Sequence, residues 1–118
     1  MSTTLSKLFT RLKTQGNPEK LGRNLTIIVS YRLDGRLYER VISGRVAQTL
    51  YHLITASSRG ITVVEVSSWA YRLGAYIHTL RHQYGLNIES YTEPHDGGMH
   101  ARYVLLDKVD IHQAFRSL

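Results

Sequence analysis

The 118-residue sequence contains no cysteine, two prolines and a single tryptophan. The absence of cysteine excludes disulfides, iron–sulfur clusters, thiolate zinc sites and cysteine nucleophiles. No run of about 18 apolar residues is present, so a membrane span is not expected. The residues after Met1 are polar, which does not fit a secretory signal. We therefore expect a protein of the cytoplasm.

Acidic residues are also few, since nine Asp and Glu stand against fifteen Lys and Arg, a formal net charge of +6. The hydrophobic fraction of 42% suffices for the core of one compact domain at this length. A basic balance favours a polyanionic partner but does not determine a fold. Residues 1–24 hold five of the basic residues and one acid, which marks them as a basic arm.

The arm has the pattern of an amphipathic helix. Its apolar residues follow the i, i+3, i+4, i+7 spacing of one helical stripe: Leu5, Leu8, Phe9 and Leu12. Gly16-Asn17-Pro18 is expected to end this helix. About three turns are marginally stable alone, so we expect the helix to dock on the domain, dock on a second copy of the chain, or fray.

Residues 25–42 have the pattern of a β-hairpin. Two runs rich in β-branched and aromatic residues, 25–31 and 37–42, flank Asp34-Gly35. This pair tolerates positive φ and suits a two-residue type I′ turn.

Two helices are predicted next. The first has Ser43 as its cap, ends at Ser58-Arg59-Gly60, and has a buried stripe of five residues: Val46, Leu50, Leu53, Ile54 and Ser57. The run Thr62-Val63-Val64-Glu65 matches a capping box. It predicts a second, short helix, because Ser67-Ser68 offers a new cap soon afterwards.

A third helix is predicted from Trp69 to Tyr84, closed by Gly85. Its inward face follows helical spacing, with Tyr76 at the edge: Leu73, Ile77, Leu80 and Tyr84. Its outward face has no acid, unlike an ordinary solvated helix: Tyr71, Ala75, His78 and His82, flanked by Arg72, Thr79 and Arg81.

Two strands are predicted to close the domain, at residues 87–93 and 100–105. Pro94 and the glycines after it predict an extended loop over residues 94–99. For residues 108–118 we predict a strand end and a helical turn around Ala114, Phe115 and Leu118.

This order of elements is that of a winged helix-turn-helix over about residues 43–106. Residues 60–66 and 71–81 resemble a family of small winged helix-turn-helix DNA-binding proteins of bacteria, phages and prophages, and so do residues 85–89 and 100–105. Residues 66–69 depart from it, because that turn often has a glycine. The resemblance implies transcriptional regulation, including that of phage-derived or mobile-element genes, by a nucleoid-associated protein.

The predicted fold class is α+β: a winged helix-turn-helix with an N-terminal β-hairpin and a basic amphipathic N-terminal helix. The predicted divisions are the arm 1–24, the hairpin plus winged helix-turn-helix 25–107, and the tail 108–118. The fold places the third helix in the DNA major groove, where residues on its exposed face reach base edges.

The predicted DNA-binding residues fall into four groups. Base contacts are expected from Tyr71, Arg72, Ala75 and His78, with the Arg72 guanidinium pairing with guanine. Thr79, Arg81 and His82 lie further along, the last two toward phosphates. In the wing, His95, His100 and Arg102 are expected to meet the minor groove or its phosphates. Sequence-independent attraction is expected from the arm cations Lys7, Arg11 and Lys13.

Other readings compete with DNA binding by a transcriptional regulator. Winged helices also serve as protein-interaction modules, here with an acidic partner surface, or as architectural accessories in recombination. His78 and His82 have the i, i+4 spacing of zinc ligands, but the metalloprotease glutamate is missing and Arg81 lies between them. Because no catalytic motif is found, we expect no enzyme, no metal and no cofactor. A homodimer is expected, with no membrane contact.

Overall fold

The computed structural model describes residues 18–66 and 71–117. The chain divides into two compact units: unit 1 comprises residues 1–48 and 109–118, and unit 2 comprises residues 49–108. None of the helices in these described ranges is long and apolar enough to cross a membrane.

Unit 1 is built on a three-stranded antiparallel sheet in the order β2-β1-β6. Its elements are α1 (Pro18–Leu21), a 3-10 turn (Gly22–Asn24), β1 (Leu25–Leu33), β2 (Arg36–Ser43), the start of α2 (Gly44–Ala56) and β6 (Val109–Arg116). The rest of α2 belongs to unit 2. One sheet face forms the core, where Ile27, Val29 and Ile42 are at most 1% exposed.

The predicted hairpin of β1 and β2 is confirmed. Asp34 and Gly35 have φ of +51° and +78°, and two positive values are what a type I′ turn requires. Leu33 pairs with Arg36 across this turn. The short turn therefore fixes which side chains of β2 share a face with β1.

The helical turn predicted around Ala114 is wrong, because residues 109–116 form strand β6. Ala114 pairs with Ile27, and a bulge between Ile28 and Val29 shifts the register. β1 is the central strand, and β6 pairs with the backbone groups on its second edge, which would otherwise lack partners. That requirement outweighs the helical preference of a short apolar cluster.

A short helix that was not predicted precedes the hairpin. Pro18 begins the short helix α1, which fits the preference of proline for the first helical position, where no amide donor is needed. The predicted helix over residues 5–12 and the cations Lys7, Arg11 and Lys13 lie outside the described residues.

The predicted first helix is confirmed as α2, which passes through a 3-10 turn (Ser57–Arg59) to Gly60. Leu50 and Leu53 of the predicted stripe are buried, together with three residues that were not predicted: Ala47, Gln48 and Thr49. Val46 and Ile54 are only half-buried and Ser57 is exposed. Ser43 ends β2, and its hydroxyl hydrogen-bonds that of Thr26 at 2.8 Å.

Unit 2 combines short helices with a second antiparallel sheet in the order β3-β5-β4. Besides the end of α2, its elements are β3 (Ile61–Thr62), α3 (Val63–Val66), α4 (Leu73–His82), β4 (Ile88–His95) and β5 (Gly98–Leu105). We call β4, β5 and the turn between them the wing.

The extended loop predicted for residues 94–99 is wrong. The wing strands continue to His95 and Gly98, and only Asp96 and Gly97 form the turn. Pro94 pairs with Met99. β4 is an edge strand, where proline is tolerated because one row of backbone groups needs no partner.

Candidate nucleic-acid interface

The short helix α3 begins as the capping pattern predicts. The Glu65 amide donates to the Thr62 hydroxyl oxygen at 3.2 Å. The Glu65 carboxylate does not return to the threonine amide as in a full capping box. It accepts instead from Arg59 at 3.2 Å and from Arg102 at 3.1 Å, so α3 is joined to the wing.

Helix α4 begins later than predicted, at Leu73 and not at Trp69. Tyr71 and Arg72 form a 3-10 turn in front of it, and residues 67–70 lie outside the described ranges. The helix ends at His82, two residues before the predicted Tyr84, and Gly85 follows with φ of +72°. The Leu86 amide donates to the Leu80 carbonyl at 3.1 Å, which satisfies one of the backbone acceptors at the end of the helix.

The inward face of α4 is largely as predicted. Leu73, Ile77 and Leu80 are at most 2% exposed, whereas Tyr84, like Tyr76, is half-buried. These buried anchors fix the rotation of the helix about its axis and therefore determine which residues face outward.

The outward face carries most of the predicted contact residues. Tyr71 is 83% exposed, and four others are exposed: Arg72, Ala75, His78 and His82. Thr79 is half-buried and donates to the Ala75 carbonyl at 3.2 Å. The His78 and His82 rings are in contact, with centroids 4.1 Å apart and planes tilted by 37°. No acidic residue occurs in this segment, residues 71–82.

Arg81, predicted to face phosphates, is held within unit 2. Its Nε and Nη2 donate to the Ile88 carbonyl at 3.0 and 2.6 Å, and Nη2 also donates to the Ser90 hydroxyl at 2.8 Å. The side chain therefore fastens the end of α4 to the first wing strand, and only Nη1 has no bond to the described residues.

Arg102 lies between two carboxylates. Its Nε and Nη2 donate to the two oxygens of Glu93 at 2.9 and 2.8 Å, a bidentate pair. Its Nη1 donates to Glu65 at 3.1 Å and to the Arg59 carbonyl at 3.0 Å. Every guanidinium nitrogen is engaged, so this side chain braces the wing against α3.

Electrostatics at this cluster follow from the pairing. Hydrogen bonds from Arg102 and then from His100 lower the pKa of Glu93 to about 2. The same Glu93 bond raises the pKa of Arg102. Glu93 is therefore ionised at neutral pH, and it cancels most of the charge that Arg102 would present to an anion.

The two wing histidines differ in their surroundings. His100 bonds through Nε2 to Glu93 at 2.8 Å and through Nδ1 to His95 Nδ1 at 2.7 Å. His95 is exposed, whereas His100 is half-buried. Sequence reasoning missed the partners Glu65 and Glu93, since only the strand register, which places Glu93 opposite His100, brings them together.

An open groove lies between α3, the start of α4 and the wing. Its volume is about 370 Å³. Four exposed apolar side chains line it: Val63, Val64, Tyr71 and Met99. Apolar groups on such a surface can contact the thymine methyl group or sugar carbons.

Metal ligation finds little support in the described ranges. There, no three residues of the His, Cys, Asp and Glu types lie close enough to hold an ion together. His78 and His82 therefore form no three-residue cluster with another such side chain in those ranges.

A helix pair followed by a two-stranded wing defines a winged helix-turn-helix, a class of small domains that bind DNA through the second helix of the pair. The model of the winged helix domain family matches residues 39–114. The chain therefore belongs to the winged helix domain family, whose members are typically binding modules without catalytic activity. No curated protein and no solved structure gives a significant match.

Proposed function

We propose that this protein binds double-stranded DNA sequence-specifically and regulates transcription. The proposal rests on the character of one surface, formed by the outward face of α4 and the 3-10 turn before it. This face is exposed, lacks acidic residues, and presents Arg72, which has no ion pair among the described residues. In helix-turn-helix docking, residues near the N-terminus of the second helix reach the base edges.

Arg72 is the proposed base-reading residue. A guanidinium can donate two parallel hydrogen bonds to O6 and N7 of guanine in the major groove. Tyr71, Ala75 and His78 lie on the same face, and the small side chain of Ala75 permits a close approach of the helix. His82 and Thr79, with Arg81 through its remaining nitrogen, would meet phosphates beside the groove.

The wing would contact the backbone or the minor groove mainly through His95. Because Arg102 and His100 bond internally, their proposed role is to position the wing. The arm cations Lys7, Arg11 and Lys13 would add sequence-independent attraction to phosphates. We propose a homodimer, since one helix and one wing cover few base pairs and two-fold sites are common.

The test is to select bound sequences from random duplexes and then measure the affinity of Arg72→Ala for the selected site. Loss of a bidentate base contact should weaken specific binding by about 1–3 kcal/mol and leave binding to unrelated DNA nearly unchanged. Arg59→Ala, an exposed arginine of unit 2 paired with Glu65, is the matched control and should leave base selectivity intact.

Three other results would contradict the proposal. Equal loss on selected and unrelated DNA would show that Arg72 does not read bases. Strong bending of DNA without site preference would favour an architectural role in recombination. Weak, sequence-blind retention of DNA together with tight binding to an acidic protein would identify an interaction module.

A further inference from the structure

The net positive charge of the protein lies outside unit 2, the unit that contains the proposed base-reading helix α4. Unit 2 has five Lys and Arg against five Asp and Glu, so its formal charge balances. The described residues of unit 1 have seven basic and four acidic residues. Affinity of a protein for DNA depends largely on cations that neutralise phosphates. We therefore expect unit 1 to carry such cations.

Strand β2 arranges two arginines around a tyrosine on one face of its sheet. Side chains two apart on a strand point the same way, which aligns Arg36, Tyr38 and Arg40. Their partners on β1 are Leu33, Tyr31 and Val29. We call Arg36, Tyr38 and Arg40 the arginine stripe. The stripe lies on the sheet face that also carries the core residue Ile42, but β2 is an edge strand and both arginines are exposed.

No carboxylate of the three strands shares the face of the arginine stripe. The only acids in these strands are Glu39 and Asp110. Both pair with Ser30, and directly paired residues point to the same side of a sheet. Because Ser30 alternates with Val29 and Tyr31, Glu39 and Asp110 lie on the opposite face from the stripe.

The stripe arginines have no carboxylate partner among the described residues, and Arg40 also contacts an aromatic ring. Both are exposed, and neither has an ion pair among the described residues. Arg40 donates only to the Glu39 backbone carbonyl, at 2.9 Å. Its guanidinium lies 5.0 Å from the centroid of the Tyr38 ring, which stacks on Tyr31 at 6.1 Å.

From this geometry we infer that the arginine stripe is a second DNA contact, which binds phosphates of the sugar–phosphate backbone. The inference rests on the proposed DNA binding. It concerns unit 1 and phosphate binding, whereas the proposed function concerns unit 2 and base reading. Exposed arginines whose charge is uncancelled are the groups that release counterions from DNA. The stripe contributes affinity without sequence preference.

The experiment measures the affinity of the full chain for duplex DNA over a range of salt concentrations. Each phosphate contact contributes about 0.9 to the slope of log K against log salt. R36Q/R40Q should therefore lower the magnitude of that slope by about 1.8, on the selected site and on unrelated DNA alike. R36K/R40K retains both charges and should restore the slope.

The matched control is R32Q/K108Q, which also removes two exposed positive charges but from positions outside the stripe and outside the basic arm. It should leave the slope close to that of the parent protein. Circular dichroism and thermal melting of each variant verify that the sheet is intact. If R36Q/R40Q loses the sheet, the salt slopes of R36A/R40K and R36K/R40A are compared with that of R36K/R40K. Each of the two then tests the removal of a single charge.

The outcomes separate this inference from the proposed function. An unchanged slope in R36Q/R40Q, while Arg72→Ala still loses selectivity, would overturn the stripe alone. Equal slope changes in R36Q/R40Q and R32Q/K108Q would also overturn it, because net charge would then be the cause. An unchanged DNA slope with lost binding to polyglutamate would assign the stripe to an acidic protein surface. Failure of the parent protein to bind any duplex would overturn both.

Discussion

Arg102 shows how one side chain can hold a small unit together. It bonds to a wing residue, to the helix residue Glu65 and to the backbone at Arg59. Its side chain is 24% exposed, against 33% for Glu93, so water screens the pair only in part. Without the guanidinium, two carboxylates would face each other across the junction of α3 and the wing.

We predict that Glu93 contributes to stability in a defined pH range. Its folded pKa of about 2 lies below the ordinary value of 4.5, so its contribution is fully present above pH 4.5 and is lost as the pH falls toward 2. The difference in thermal midpoint between the parent protein and Glu93→Gln should therefore shrink over this range, measured on amide signals of unit 2.

A direct readout is the titration of the Glu93 carboxyl by NMR in Arg102→Gln. Its pKa should rise toward 4.5, because the largest cause of the depression has been removed. Arg59→Gln is the control, since Arg59 bonds to Glu65 and not to Glu93. A Glu93 pKa that stays near 2 in Arg102→Gln would contradict the assignment.

At the scale of elements, the chain reverses sharply at Gly60, between α2 and β3. Gly60 has φ of +69° and ψ of −173°, a region that is nearly exclusive to glycine. A Cβ there would lie 2.4 Å from the Tyr103 carbonyl oxygen and 2.8 Å from Val104 Cγ2. This glycine lets β3 pair with β5 directly after the helix.

We predict that Gly60→Ala destabilises unit 2 more than Gly97→Ala does. Gly97 also has positive φ, +83°, but a Cβ there would meet nothing within 4 Å. Backbone strain alone costs about 1–3 kcal/mol, and Gly60→Ala adds a clash with the backbone of β5. Urea unfolding followed on unit 2 signals measures the difference, and equal losses at the two sites would refute the clash.

The elements predicted correctly from sequence are those with local determinants. Asp34-Gly35 determines a hairpin turn by backbone conformation alone. The spacing of Leu73, Ile77 and Leu80 fixes the inward face without knowledge of what it packs against. Local chemistry and helical periodicity were sufficient for each of these.

What sequence reasoning missed depends on pairing between distant segments. Residues 109–116 are a strand because β1 needs a second partner, which nothing within the tail reveals. Pro94 fits a regular wing because β4 is an edge strand, a property of the whole sheet. The internal role of Arg102 follows from the register that places Glu93 near it, so a count of basic residues overstated the cations available to DNA.

At the scale of the whole molecule, unit 1 is assembled from both ends of the described chain. β1 pairs with β2 on one side and with β6 on the other. Of β6, Val109, Gln113 and Ala114 are buried. The last strand is therefore part of the core of unit 1.

We predict that a chain ending at Lys108 loses the unit 1 sheet. Removing β6 exposes the backbone of β1 and its apolar face to water, and a hairpin alone is marginally stable. Amide hydrogen exchange of β1 should lose its protection. A chain ending at Arg116 keeps every β1–β6 pair and serves as the control. Retained protection in the shorter chain would contradict the prediction.

The order of segments along the chain has a consequence for synthesis. Unit 2 is continuous, whereas the third strand of unit 1 is translated only after residue 108. Domains generally fold as units while the chain grows from its N-terminus. Unit 1 can therefore complete its sheet only after residues 109–116 have been synthesised, and until then the second edge of β1 lacks its partner strand.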